Sequence, residues 1–288
     1  MAEPLPPADP EALLRSEIAQ KTLDLPILPG VAAEVLATSM DSDGDASKLA
    51  ALIQQDQALA SNVLRIVNSP TYRGATEIVA LQQAIARLGM SLIREVALSV
   101  SLKAALNQPG PYDSEVQDAW SQALGAALWS KEVARRCRKN VENAYLCGLL
   151  HNIGIPVVLH RLAAISAEAS AAEPLPQTRA VPLAEEFSID AAVMLVREWR
   201  LPELVATCLV HLSDFSSAAE HSDAVAIVVV GVALARAMHE TDLDCEKIQQ
   251  WPALVHLNLY PDEVAELVAC QDHIRELLLG MNGSGASS

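Results

Sequence analysis

The stretch Gly148-Leu149-Leu150-His151-Asn152-Ile153-Gly154 decides how this chain is read. It joins two apolar segments whose spacing predicts helices over 142–151 and 155–171, and it sets an imidazole and a carboxamide at their junction. Further along, helices are read at 188–199, 202–210 and 222–239, with Glu173–Pro182 as a loop. A final helix is expected from Pro261, a favoured first helical position, with Asp262 and Glu263 in its first turn. Its face would be Val264, Leu267, Val268, Ile274 and Leu278, with Gly280 as C-cap.

Toward the N-terminus a helix is read over 113–139, and before it lies Asn107-Gln108-Pro109-Gly110-Pro111, the clearest break in the chain. Ahead of that break, Ala46, Leu49, Ala50 and Ile53 recur at one-face helical spacing, as do Leu59, Val63, Ile66 and Val67. Two more helices are expected from about Leu81 to near Gly89 and from Ser91 to Leu106. The prolines of Leu25-Pro26-Ile27-Leu28-Pro29 interrupt the pattern before Val31, Val35 and Leu36 restart it. No alternating strand pattern is found, so the fold class is all-α. The reading divides the chain into a lead-in and first helix (1–24), an N-terminal helical half (25–110), a second half (111–280) and a disordered tail (281–288).

Composition narrows the function. Apolar residues make up 51 % of the 288 and aromatics only 3 %, so the core must be Leu, Val, Ile and Ala on closely packed helices. The formal charge is −16 and both halves are acidic, which argues against bulk nucleic-acid binding. The longest apolar run, Ala224 to Ala237, reads as a buried helix and not a membrane span, and the N-terminus lacks signal-peptide character. Cys137, Cys147, Cys208, Cys245 and Cys270 are odd in number and form no CxxC pair. They read as buried free thiols in a cytoplasmic protein.

Three local clusters invite chemistry. Asp41, Asp43 and Asp45 alternate as in a calcium loop, but Ala46 and Leu52 stand where Gly and Glu are needed, so they are read as helix caps. Lys131, Arg135, Arg136, Arg138 and Lys139 form the basic cluster, placed in the last turns of a helix. There cations complement the dipole, and an acidic partner or a phosphate could dock. Asn68 and Ser69 end a helix, with Asn68 expected in a left-handed C-cap.

The central stretch, taken with Gln55-Asp56-Gln57-Ala58-Leu59, Leu64-Arg65-Ile66-Val67-Asn68-Ser69, Gln83-Ala84-Ile85-Ala86-Arg87-Leu88-Gly89, Ala119-Trp120 and Glu198-Trp199-Arg200-Leu201-Pro202-Glu203, resembles the HDOD domain over about 25–280. HDOD domains are helical relatives of the HD-type metal-dependent phosphohydrolases. The resemblance implies an N-terminal helical bundle packed on a degenerate HD-type subdomain. In HD enzymes, histidines and aspartates on several helices hold metals that activate water and clamp phosphate. At the corresponding positions this chain offers His151, Asn152 where an aspartate would stand, Gln122 where a histidine would stand, Ser188, Asp190 and His211. Val229–Val232 supplies no carboxylate. Two imidazoles are too few for a hydrolytic site, which normally takes three protein ligands or more.

What the resemblance implies is a bacterial, cytoplasmic, non-enzymatic signalling module without metal or cofactor. It would act through other signalling proteins, with a small nucleotide as a further ligand and no membrane partner. The alternative is a metal-dependent phosphohydrolase acting on a nucleotide. The short Pro109-Gly110-Pro111 connection predicts halves held close together, with the N-terminal helices covering part of the old metal pocket.

Overall fold

The computed structural model describes residues 9–39, 46–72, 74, 76–106, 108–168, 173–240 and 243–282, leaving aside the side chains of 38, 39, 239 and 240. Among these residues there is no strand. The N-terminal half comprises α1 (Pro10–Gln20), α2 (Gly30–Ser39), α3 (Ala46–Gln54), α4 (Gln57–Val67), α5 (Leu81–Leu88) and α6 (Met90–Leu106). Then come α7 (Asp113–Arg136), α8 (Val141–Leu150), α9 (Gly154–Glu168), α10 (Gln177–Glu198) and α11 (Glu203–His211). After a 3₁₀ segment (Phe215–His221) follow α12 (Ser222–Glu240), α13 (Cys245–Ile248), α14 (Pro252–His256), α15 (Pro261–Val268) and α16 (Gln271–Asn282).

Side-chain caps explain several starts. Asp9 accepts from the Glu11 amide ahead of Pro10, Asp56 from the Leu59 amide at 3.0 Å, and Asn140 from the Asn143 amide at 2.8 Å. Helix α7 is the axis of the second half. It carries buried Ala119, Ala123, Ala126, Ala127 and Ala134 around Trp129, and packs most extensively on α8 and α12. Small side chains let these helices approach closely. A β-carbon at Gly148 would lie 2.8 Å from the Ala126 carbonyl oxygen, and one at Gly154 only 1.8 Å from that of Ser188. The two glycines that bracket the opening stretch are therefore where α8 meets α7 and α9 meets α10.

In the N-terminal half α6 is the hub, packed by α2, α4 and α5. The first helix leaves this half: α1 lies on α9 and α10, tied by Glu17 to Arg161 and by Arg15 to Glu186. At the other end α16 returns to α7, and its Glu276 carbonyl accepts from Thr71 at 3.0 Å.

Several expectations need correction. The stretch read as a loop over Glu173–Pro182 is helical from Gln177, with Pro182 inside α10. Pro182 stands near the helix start on an exposed face, where the clash and lost bond of a proline disturb little packing. The helix read over 113–139 stops at Arg136, and Arg138 is left-handed with φ 53°. The single last helix is two, α15 and α16, broken at Ala269–Cys270. Gly280 is not a cap but lies within α16, as do Met281, which is buried, and Asn282, both read into the tail; 283–288 lie outside the described residues. Asn68 is not left-handed (φ −96°). Its carboxamide accepts from the Ile78 amide at 2.8 Å and donates to the Ile78 carbonyl at 2.7 Å, pairing with that backbone as a strand would. Of the five free cysteines only Cys147 and Cys208 are buried. The calcium-like aspartates lie outside the described residues.

Two stretches, Val141–Glu168 and Phe215–Met238, are long and apolar enough by composition to cross a membrane, which the sequence reading did not anticipate. Their most apolar windows are 72 % and 50 % buried within the protein. The first is interrupted by the turn at 151–153 and the second by left-handed Ala219.

Candidate functional site

His151 ends α8 and Asn152 sits in the three-residue turn into α9. The His151 ring turns back on its own helix: Nδ1 lies 2.8 Å from the Gly148 carbonyl oxygen. A carbonyl only accepts, so Nδ1 carries the proton and Nε2 keeps its lone pair. Burial pushes the imidazole down to about 4, against the Gly148 hydrogen bond and with help from the Arg236 charge. Asn152 is buried, and its Nδ2 donates to the Ala119 carbonyl of α7 at 2.8 Å. That bond ties the turn to the axial helix.

The remaining residues singled out from the sequence are dispersed. Gln122 and Asp190 are exposed on α7 and α10. Ser188 spends its hydroxyl on the Glu185 carbonyl at 3.0 Å while its backbone packs against Gly154. His211 ends α11 and donates from Nδ1 to Ser217 Oγ at 2.7 Å, whose own proton goes to the Asp214 carbonyl. Among the described residues no three His, Cys, Asp or Glu side chains are placed to share a metal ion. The HD-type metal therefore does not fit this donor set: His151 has one ligand-competent nitrogen, and the neighbouring carboxamide is turned to α7 as a donor.

The basic cluster is largely neutralised. Lys131 pairs with Glu95 at 2.7 Å, Arg135 with Glu132, Arg136 with Glu266, and Lys139 with Asp223 at 2.8 Å. Among the described residues only Arg138 of the five makes no ion pair. Arg138 and Lys139 stand beyond the end of α7, not in its last turn.

Sequence reasoning passed over a buried charge network on α6. Arg94 and Glu95 are 7 % and 6 % exposed, between fully buried Ile93 and Val96. Arg94 Nη1 meets Glu142 of α8 at 3.3 Å, and Glu95 Oε2 meets Lys131 of α7 at 2.7 Å. The signal was available: Ile93, Val96, Ala97 and Leu98 leave Arg94 and Glu95 no wholly polar face to occupy. This network joins the two halves.

The geometry defines an all-α protein with an HD-like second half. The profile of the HDOD domain matches residues 25–215, about two thirds of the chain, and the chain belongs to that family. Solved structures agree on the fold. An HDOD domain protein of unknown function from Geobacter sulfurreducens superimposes with TM-score 0.71 at 21 % identity, covering 94 % of this chain and 97 % of that one. A Shewanella amazonensis protein provisionally named a phosphohydrolase gives 0.67 at 20 %, with the same coverage. A Marinobacter aquaeolei protein provisionally named for signal transduction gives 0.64 at 22 %, covering 95 % and 66 %. An uncharacterized protein of Treponema pallidum is 27 % identical over 201 residues, 67 % of this chain and 38 % of its own length. The chain thus spans about two fifths of that relative.

The state of His151 gives a pH prediction. Its pKa is depressed on folding, so the unfolded chain binds the extra proton first and stability falls as pH drops from about 6.5 toward 4. Urea unfolding should show about 2 kcal/mol more loss between pH 7.5 and 5 in the natural chain than in His151→Gln. Equal pH slopes in the two proteins would contradict the assignment.

Proposed function

We propose that this chain is a non-enzymatic regulatory module of a bacterial cytoplasm, working through contacts with other signalling proteins, with a small nucleotide as modulator. The observation that carries the reading is the Asn152 carboxamide. It stands where a hydrolase would hold a bridging carboxylate, and its proton-bearing nitrogen is engaged by the Ala119 carbonyl. A neutral carboxamide is a much weaker bridging ligand than a carboxylate, and among the described residues no three His, Cys, Asp or Glu side chains are placed to share a metal ion. The free thiols of the five cysteines suit a reducing compartment.

The name of the Shewanella amazonensis neighbour favours the second reading, a nucleotide phosphohydrolase. Assays with cyclic dinucleotides, nucleoside triphosphates and p-nitrophenyl phosphate, with manganese or iron added, separate the two. Background rates are expected throughout. Turnover that disappears in both His151→Ala and His211→Ala would establish the phosphohydrolase and end the regulatory reading.

A further inference from the structure

We propose that Cys147 and Cys208 are a modification site, a buried dithiol that a small peroxide converts to a reversible disulfide between α8 and α11. The two helices are separated in sequence by α9 and α10, yet they pack together and bring thiol to thiol. Cys147 and Cys208 are 3 % and 2 % exposed, and the Cys147 thiol shares a hydrogen bond with that of Cys208. The other three cysteines, Cys137, Cys245 and Cys270, are only partly buried.

The pair can be reached from outside. A cavity of about 230 Å³ lies between α8, α11 and α12, with Cys147, Ile227 and Val228 as its buried lining. Lys139, Asn140 and Glu220 line the same cavity and are exposed, so it opens at the surface. Hydrogen peroxide is little larger than water and fits such a space. Cys147 lines the cavity and Cys208 does not, which sets the order of events.

Cys147 loses its proton to solvent, and its sulfur attacks one peroxide oxygen. The O–O bond breaks, leaving a sulfenic acid on Cys147 and a hydroxide that takes up the proton as water. The Cys208 sulfur then attacks the Cys147 sulfur. The S–O bond breaks, and the hydroxide leaves with the Cys208 proton as a second water. Two thiols are oxidised to one disulfide and one peroxide is reduced to two waters. The Cys208 hydrogen bond and burial push the Cys147 thiol well above its usual range, so thiolate is scarce at neutral pH. The pair therefore answers sustained oxidant and ignores a brief pulse. This chemistry goes beyond the regulatory reading and does not depend on it.

Peptide mapping by mass spectrometry after prolonged exposure of the folded full chain to hydrogen peroxide tests the proposal. The natural chain should yield a peptide pair linking Cys147 to Cys208, lost on adding dithiothreitol. The triple variant Cys137→Ser, Cys245→Ser, Cys270→Ser keeps only the buried pair and should form the bridge to the same extent. Cys208→Ala should form none and should accumulate oxygen on Cys147. Circular dichroism before and after oxidation should coincide, as a bridge closed within the native fold requires. Three results would each overturn the proposal: both thiols still reduced when the methionines have taken up oxygen, oxygen on Cys147 of the natural chain without a bridge, or a bridge that forms only in urea.

Discussion

Lys131→Met is expected to destabilise the protein by about 3–5 kcal/mol, because it strands a carboxylate inside the fold. The Glu95 side chain is 7 % exposed and that of Lys131 15 %, and they meet at 2.7 Å. An exposed pair would contribute at most about 1 kcal/mol. Here the ammonium compensates a charge that water cannot reach. Burial already pushes the Glu95 carboxyl above its usual range, with Lys131 opposing the shift. Without Lys131 the folded state would hold the Glu95 proton more tightly than the unfolded chain does. Stability of the variant should therefore fall as pH rises above about 4.5, the reverse of the trend set by His151. Pairing Lys131→Met with Glu95→Leu should recover most of the loss in urea unfolding at pH 7. A single-variant loss below about 1 kcal/mol would show that the pair behaves as a surface contact.

Asn152→Asp is expected to cost about 3 kcal/mol and to restore no metal binding. The substitution writes back the residue that an HD hydrolase would carry, yet its surroundings have changed. The carboxylate would face the Ala119 carbonyl at the 2.8 Å now bridged by an N–H, two acceptors without a proton between them. The residue is 8 % exposed, so solvent cannot relieve the repulsion. Gln122 and Asp190, the other candidate ligands nearby in the sequence argument, are exposed on separate helices and do not join it. Denaturant unfolding gives the cost, and elemental analysis after manganese or iron loading gives the metal content. A stable variant that retains about one metal per chain would show that the site is dormant and not dismantled.

The helical class, the opening turn and the family were legible because each rests on local pattern. Spacing of Leu, Val and Ile located α3, α4, α5 and α6, whereas the caps Asp56 and Asn140 emerged only with the structure. Other features depended on tertiary context. Pro182 argued against a helix by its own chemistry, and only the packing of α10 on α9 and α1 overrides it. Asn68 has the conformational freedom expected of a cap, but Ile78 ten residues away decides what its carboxamide does. Residue type alone does not give exposure: Gln122 falls on the outer side of α7, whereas Asn152, in the turn between α8 and α9, is buried against that helix. Arg94 and Glu95 carried a visible anomaly, two charges on an apolar helix, and their partners on α7 and α8 could not be read without the fold.

The seat of α1 on α9 and α10 bears on how the chain is made. Arg15 finds Glu186 across 171 positions, and Glu17 finds Arg161 across 144. A ribosome adding about 5–20 residues per second would release the first helix about 10–30 s before its docking surface exists. During that interval the apolar side of α1, with Leu14 and Ile18, has no native place to go. Completion of α9 and α10 would then be the event that lets α1 settle, so this helix would dock long after it is made.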